Sequence, residues 1–307
     1  MSWISFFGAL ELGLIYSLVA VSLYVSYRIL NIADLSVDGT FPLGAVVATM
    51  LTTAGHPVIG LVCGLLAGMA AGFVTAALQT WLKVPSILAG IITMTALTSV
   101  NLMITGGVSN LPIAKNDETV FTLVQRLVGN RYAASLLVLG VLAAVLAAVL
   151  TVFFRTKLGL SVRATGDSPD MVRASSINPT ATIITGLCIA GALVGLSGGL
   201  MAQYSKFGDV GLGVGTVVAG LASLMLGEIL VGRGGVTRCI IGAIAGSIIY
   251  RLIVAAAYAL DISPNGMKLV TAVIVALAVS MPAIREKAAE YRRRREGLRD
   301  AAAEKTE

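Results

Sequence analysis

Long apolar runs separated by short polar gaps fill most of the chain. They fall at 4–27, 41–53, 58–82, 87–104, 132–154, 183–203, 213–231, 236–260 and 268–284. A helix needs about 20 apolar residues to cross a bilayer, so the pattern predicts about nine transmembrane helices, to within one. The runs lack the strict alternation of barrel strands. The expected fold is therefore all-α and polytopic. The first run is read as a retained helix, not a signal peptide. It exceeds a signal core in length, no basic residue precedes it, no small-residue cleavage site follows, and Arg28 comes next.

Composition agrees with the pattern. Of 307 residues, 57% are hydrophobic and 12% charged, against about 25% charged in soluble domains. The net charge of +6 does not mark a nucleic-acid face, because the basic residues sit in short gaps and in the run Arg292 to Arg295. Placing the N-terminus outside and alternating leaves only Lys115, Arg126, Arg131, Lys206 and Lys268 on the outer side. Arg251 falls within a span, and every other Lys and Arg lies inside. The positive-inside bias thus predicts an N-out, C-in topology. The expected organisation is a transmembrane domain over 1–285 and a basic cytoplasmic tail over 286–307.

Glycines add a packing signal. Gly60, Gly64, Gly68 and Gly72 recur every four residues, as do Gly191, Gly195 and Gly199, and Gly242 with Gly246. Small residues at this interval let helix backbones approach closely in lipid. Cys63, Cys188 and Cys239 lie in apolar stretches without metal or disulfide spacing. No metal or cofactor is expected in this chain.

The inner loop at 155–180 differs from the others. Ser168 is a good N-cap, Pro169 suits the first helical position, and Asp170 suits the positive helix start. A helix of about two turns over 169–176 is expected, and Asn178-Pro179 repeats the capping logic before the next span.

The run Arg163-Ala-Thr-Gly-Asp-Ser-Pro-Asp-Met-Val-Arg-Ala-Ser-Ser-Ile-Asn-Pro179 resembles the coupling segment of ABC importer permeases. The likeness is nearest to the branched-chain amino-acid and ribose permease superfamily, and within it to permeases that accompany tryptophan/tyrosine-type binding proteins. The stretch Leu30-Asn-Ile-Ala-Asp-Leu-Ser-Val-Asp-Gly-Thr-Phe-Pro-Leu-Gly-Ala45 resembles that family's early motif, and 227–235 its late one. The likeness spans roughly residues 10 to 280. It implies that the short helix docks into a cleft on a separate ATPase. Arg163, Gly166, Asp167, Ser168, Pro169, Asp170, Met171, Val172, Arg173, Ala174 and Ile177 would be the coupling residues. It further implies a second permease copy, an extracytoplasmic solute-binding protein, the lipid of a prokaryotic inner membrane as surroundings, and an amino acid as cargo, aromatic or branched.

The chain carries no phosphate-loop pattern. Leu196-Ser-Gly-Gly199 matches the opening of an ATPase signature but lies in an apolar span within the glycine repeat. ATP hydrolysis is expected on another chain. A transporter or channel working without ATP would explain the spans but not the capped helix. A membrane enzyme would need a nucleophile or metal constellation that the sequence lacks.

Two apolar segments make poor spans. The run 41–53 is short and carries Pro42, and 208–220 holds Asp209, Gly211, Gly213 and Gly215. Interrupted spans in matching positions of two halves mark transport pathways; ordinary irregular helix ends are the other reading. Glu11, Asp34, Asp38, Pro42, Asp209 and Gly213 are the pathway candidates. Glu228 and Arg251 are candidates for an ion pair across neighbouring helices, since ionisable groups in lipid face protein or water.

Overall fold

The computed structural model describes residues 3–114, 117–232, 234–259, 272–273, 275–276 and 280. Helix dominates, as it must where lipid offers the backbone no hydrogen-bond partners. In order, the helices are α1 (Trp3–Leu23), α2 (Val37–Thr53), α3 (Pro57–Thr80), α4 (Ser86–Ile104), α5 (Val120–Val128), α6 (Arg131–Phe153), α7 (Lys157–Asp167), α8 (Pro169–Ala174), α9 (Pro179–Ser205), α10 (Thr216–Val231) and α11 (Val236–Tyr258). α1 continues into a π-helical stretch, Tyr24–Ile29. Two short strands, β1 (Asn110–Pro112) and β2 (Phe207–Asp209), pair antiparallel.

Among the described residues, seven helical segments are long and apolar enough to cross a membrane: Trp3–Ile29, Pro57–Thr80, Ser86–Ile104, Arg131–Phe153, Pro179–Ser205, Val210–Val231 and Val236–Tyr258. α2, expected as a span, is a 17-residue helix, which leaves it just short of that length. The run expected at 268–284 and the tail at 286–307 lie outside the described residues, apart from five positions of the former. Several hydroxyls inside the helices are satisfied locally. Thr49 donates to the Ala45 carbonyl, Thr52 to that of Ala48, Thr75 to that of Ala71 and Ser223 to that of Ala219.

α9 is the central helix. Two-thirds of its apolar window is buried (67%), against 17% for α6, so α9 meets protein where α6 leaves most of its surface outside the bundle. It lies against α1, α2 and α3. Glycine makes this possible. A methyl group on Gly68 would overlap the Gly191 carbonyl, one on Gly191 that of Gly68, one on Gly195 that of Gly64, and one on Gly72 that of Leu187. α3 therefore runs antiparallel to α9 at backbone contact. Gly44 on α2 meets Gly195, and a methyl group on Gly199 would lie 3.1 Å from Ala48 Cβ, so α2 runs parallel to α9. A methyl group on Gly60 would lie 2.9 Å from the Ala48 carbonyl. α10 and α11 repeat the device: Gly227 abuts the Gly242 carbonyl and Gly246 that of Ser223.

A few long-range hydrogen bonds pin this register. Ser197 donates to the Ile15 carbonyl at 2.7 Å and Ser247 to that of Gly13 at 2.8 Å. The buried Gln203 amide donates to Thr52 Oγ1 at 3.0 Å and the Pro57 carbonyl at 2.8 Å, while its oxygen accepts the Val120 N–H at 3.1 Å. One side chain thus joins α9, the α2–α3 turn and α5.

A capped surface segment and two interrupted helices

The 155–180 segment holds two helices where one was expected. Thr156 accepts the Gly159 N–H at 3.3 Å and starts α7, an 11-residue helix. Gly159, Val162 and Thr165 are its buried residues. Gly159 lies on the Phe153 carbonyl and Gly166 on that of Ile29, each too close for a Cβ. Thr165 and Thr182 hydroxyls share a 2.7 Å hydrogen bond, joining α7 to α9. The spacing of Gly159, Val162 and Thr165 was the sequence signal for this helix, masked by two glycines that serve contact, not flexibility.

α8 begins as its caps require, with the Met171 N–H donating to Ser168 Oγ at 3.4 Å and Pro169 at the first position. It ends at Ala174, earlier than the expected 176, because Ser175 leaves helical geometry and Ser176 is left-handed (φ 60°). Val172, expected among the coupling residues, does not join Met171 and Ala174 on the outer face. It is buried, and its carbonyl accepts the Ile177 N–H at 3.1 Å. Met171 stands 72% exposed, and Arg163, Asp167, Pro169, Asp170, Arg173, Ala174 and Ile177 are exposed with it. The Asp170–Arg173 pair at 3.8 Å is largely open to solvent and contributes little. So the segment is held rigidly on its inner side and offers a small apolar face, led by Met171, on the other.

The same α7 tip presses on the π-helical stretch of α1. π-turns concentrate at functional sites. Arg28 within it pairs with Glu228 of α10 at 3.0 Å. This corrects the pairing expected for Glu228 with Arg251, whose guanidinium instead lies 3.6 Å over the Tyr16 ring. Nothing in the sequence places the end of α10 beside Arg28.

The interrupted segments meet. Pro42 sits inside α2 and has no N–H, so the Asp38 carbonyl loses its helical donor. That carbonyl lies against Gly213, where a Cβ would overlap it. The Asp38 carboxylate accepts the Gly215 N–H at 3.2 Å and the Val217 N–H at 2.8 Å. Gly215 (φ 83°) is the N-cap of α10, and a left-handed cap of this kind favours glycine. Asp38 therefore supplies from α2 the acceptor that α10 lacks at its own start. With Gly44 opposite Gly195, the junction lies near the middle of the 27-residue α9. Asp38, Pro42 and Gly213 form one cluster.

The other pathway candidates stand apart from it. Asp209 caps its own turn, accepting the Gly211 N–H at 2.6 Å. Buried Asp34 accepts the Ser36 N–H at 2.9 Å and the Ser36 hydroxyl at 2.6 Å, and burial pushes its carboxyl above the usual range. Glu11, also buried, accepts the Tyr204 hydroxyl at 2.8 Å. Gln203 and Tyr204 were missed from sequence, although two hydrogen-bonding side chains at the end of an apolar run were the available signal.

A family model described as branched-chain amino acid transport system / permease component matches residues 5–279. A tyrosine transport system permease protein of Clostridioides difficile (strain R20291) is 34% identical over 264 residues, which is 86% of this chain and 86% of that protein. The autoinducer 2 import system permease protein LsrC of Shigella flexneri is 30% identical over 219 residues, 70% of this chain and 60% of its own. A solved ABC transporter in an inward-facing conformation aligns over 92% of this chain and 85% of its own, at 19% identity and a TM-score of 0.49. The two named relatives are permease components, and a matched model over most of the chain settles the kinship: this chain belongs to the branched-chain amino acid transport system permease family of ABC transporters.

Proposed function

We propose that this chain is the membrane-spanning subunit of an ATP-driven importer in a prokaryotic inner membrane, N-out and C-in. Two copies enclose the path, an ATPase docks on each α8, and an extracytoplasmic binding protein delivers an amino acid, aromatic or branched. The cargo class draws support from the tyrosine permease, which exceeds LsrC in identity and in mutual coverage.

The observation that carries the reading is α8 itself. Six residues, capped at Ser168, are anchored inward by Val172 and braced through the Thr165–Thr182 bond, with Met171 and Ala174 turned out. A linker needs no such brace. A rigid knob with a small apolar face suits a cleft on a partner. Closure of two ATPases on ATP would push both knobs, and α7 would pass the movement to the α1 π-turn and α9, biasing the bundle between two states.

Ala174→Glu tests the docking. In a closed joint it leaves a buried, unpaired carboxylate, which costs several kcal/mol. Membrane levels should stay near normal, because α8 lies outside the bundle, while the ATPase no longer co-purifies and uptake stops. A variant that kept both partner and uptake would favour a transporter working without ATP.

A further inference from the structure

Among the described residues Arg251 is a charge with no charged partner, and it borders a cavity. It lies in the interior of α11, a helix apolar enough to span a membrane. Its Nε is buried without an acceptor, and its guanidinium lies over the Tyr16 ring, itself stacked on Phe41 with centroids 5.4 Å apart. Ring stacking satisfies one face of the cation and leaves the Nε–H donor unused. The buried acids of the adjoining helices are engaged elsewhere, Glu11 with Tyr204 and Glu228 with Arg28.

Beside Arg251 lies a cavity of about 510 Å³ between α1 and α11, walled by Gly8, Leu12, Val254, Ala255 and Tyr258. That volume falls within the range of small-molecule sites, and the design is the usual one: apolar walls with a few polar groups that fix orientation. An unpaired cation in an apolar span is costly unless something pairs with it.

We infer that this cavity binds an amphipathic anion, its carboxylate or phosphate head on Arg251 and its apolar body along α1 and α11. Such an anion can come from the bilayer, as an anionic phospholipid, or from water, as a carboxylate solute. The site stands or falls independently of ATP-driven transport.

The full chain in phosphatidylcholine nanodiscs separates the sources. 3-Phenylpropionate is titrated against the neutral 3-phenylpropanol, and discs with phosphatidylglycerol are compared with discs without. Thermal stability and intrinsic fluorescence are read. The expected result is a shift with at least one anion and none with its neutral counterpart. Arg251→Gln should weaken it about tenfold or more, the loss of one charge-assisted contact. A response to phosphatidylglycerol that blocks phenylpropionate identifies a lipid site; a response to phenylpropionate alone identifies a solute site. If Arg251→Gln fails to fold, Arg251→Lys should retain part of the response and Leu12→Trp, which fills the cavity, should lose it. Equal responses to anion and neutral probe, or a Leu12→Trp variant that responds like wild type, would overturn the site.

Discussion

Asp38 does two jobs at once. Its carbonyl, freed by Pro42, rests on Gly213, and its carboxylate caps α10 from another helix. A lost N-cap costs about 1 kcal/mol, and a buried donor left unpaired costs about 1–3 kcal/mol more. Asp38→Ala should therefore lower the thermal midpoint and reduce uptake, and Asp38→Asn, which keeps one acceptor oxygen, should do so less. Purified variants compared by thermal unfolding check this; equal stability of Asp38→Ala and wild type would show the cap to be idle. The sequence pointed to Asp38, Pro42 and Gly213 because a proline and clustered glycines broke two apolar runs. It could not show that the two breaks touch, since that depends on the register of α2 and α10 around α9. The mispairing of Glu228 with Arg251 has the same origin: charge and apolar context are visible in a sequence, while the neighbour that a helix end finds is not.

At the scale of elements, glycine spacing carries the assembly. Every fourth residue of α3 from Gly60 to Gly72 faces backbone of α2 or α9, so close contact there depends on the absence of a side chain. Gly68→Leu would drive four carbons into the Gly191 and Gly195 backbone, beyond the about 1–3 kcal/mol of ordinary overpacking. Assembled protein in the membrane should fall sharply. Gly140→Leu on α6, where a Cβ meets open space, should leave levels unchanged, and quantitative immunoblotting of membranes compares the two. Equal levels would mean that the α3 face tolerates bulk. The spans were legible because twenty-odd apolar residues leave few other choices. α7 was not, since Gly159 and Gly166 read as loop punctuation although both are contact points. The π-turn of α1 was not legible either: Tyr24–Ile29 carries the end of the apolar run past Ser26 to Arg28 with no residue that marks a change of helical pitch.

For the whole molecule, orientation and energy source decide the function. The basic residues favour α7 and α8 inside and the β1 region outside. In a background without Cys63, Cys188 and Cys239, Ser109→Cys should react with an impermeant maleimide on intact cells, and Asp170→Cys only after permeabilisation; the reverse pattern would invert the topology. Family membership makes the chain a permease component, and the braced α8 fits it for driving by a partner. That dependence is tested most directly in proteoliposomes holding the permease, its ATPase and its binding protein, with uptake of radiolabelled tyrosine measured against ATP supply. Uptake that requires ATP hydrolysis, persists when ion gradients are collapsed and disappears with Ala174→Glu is the expected result. Uptake by the permease alone, driven by an ion gradient and indifferent to ATP and to Ala174→Glu, would contradict it.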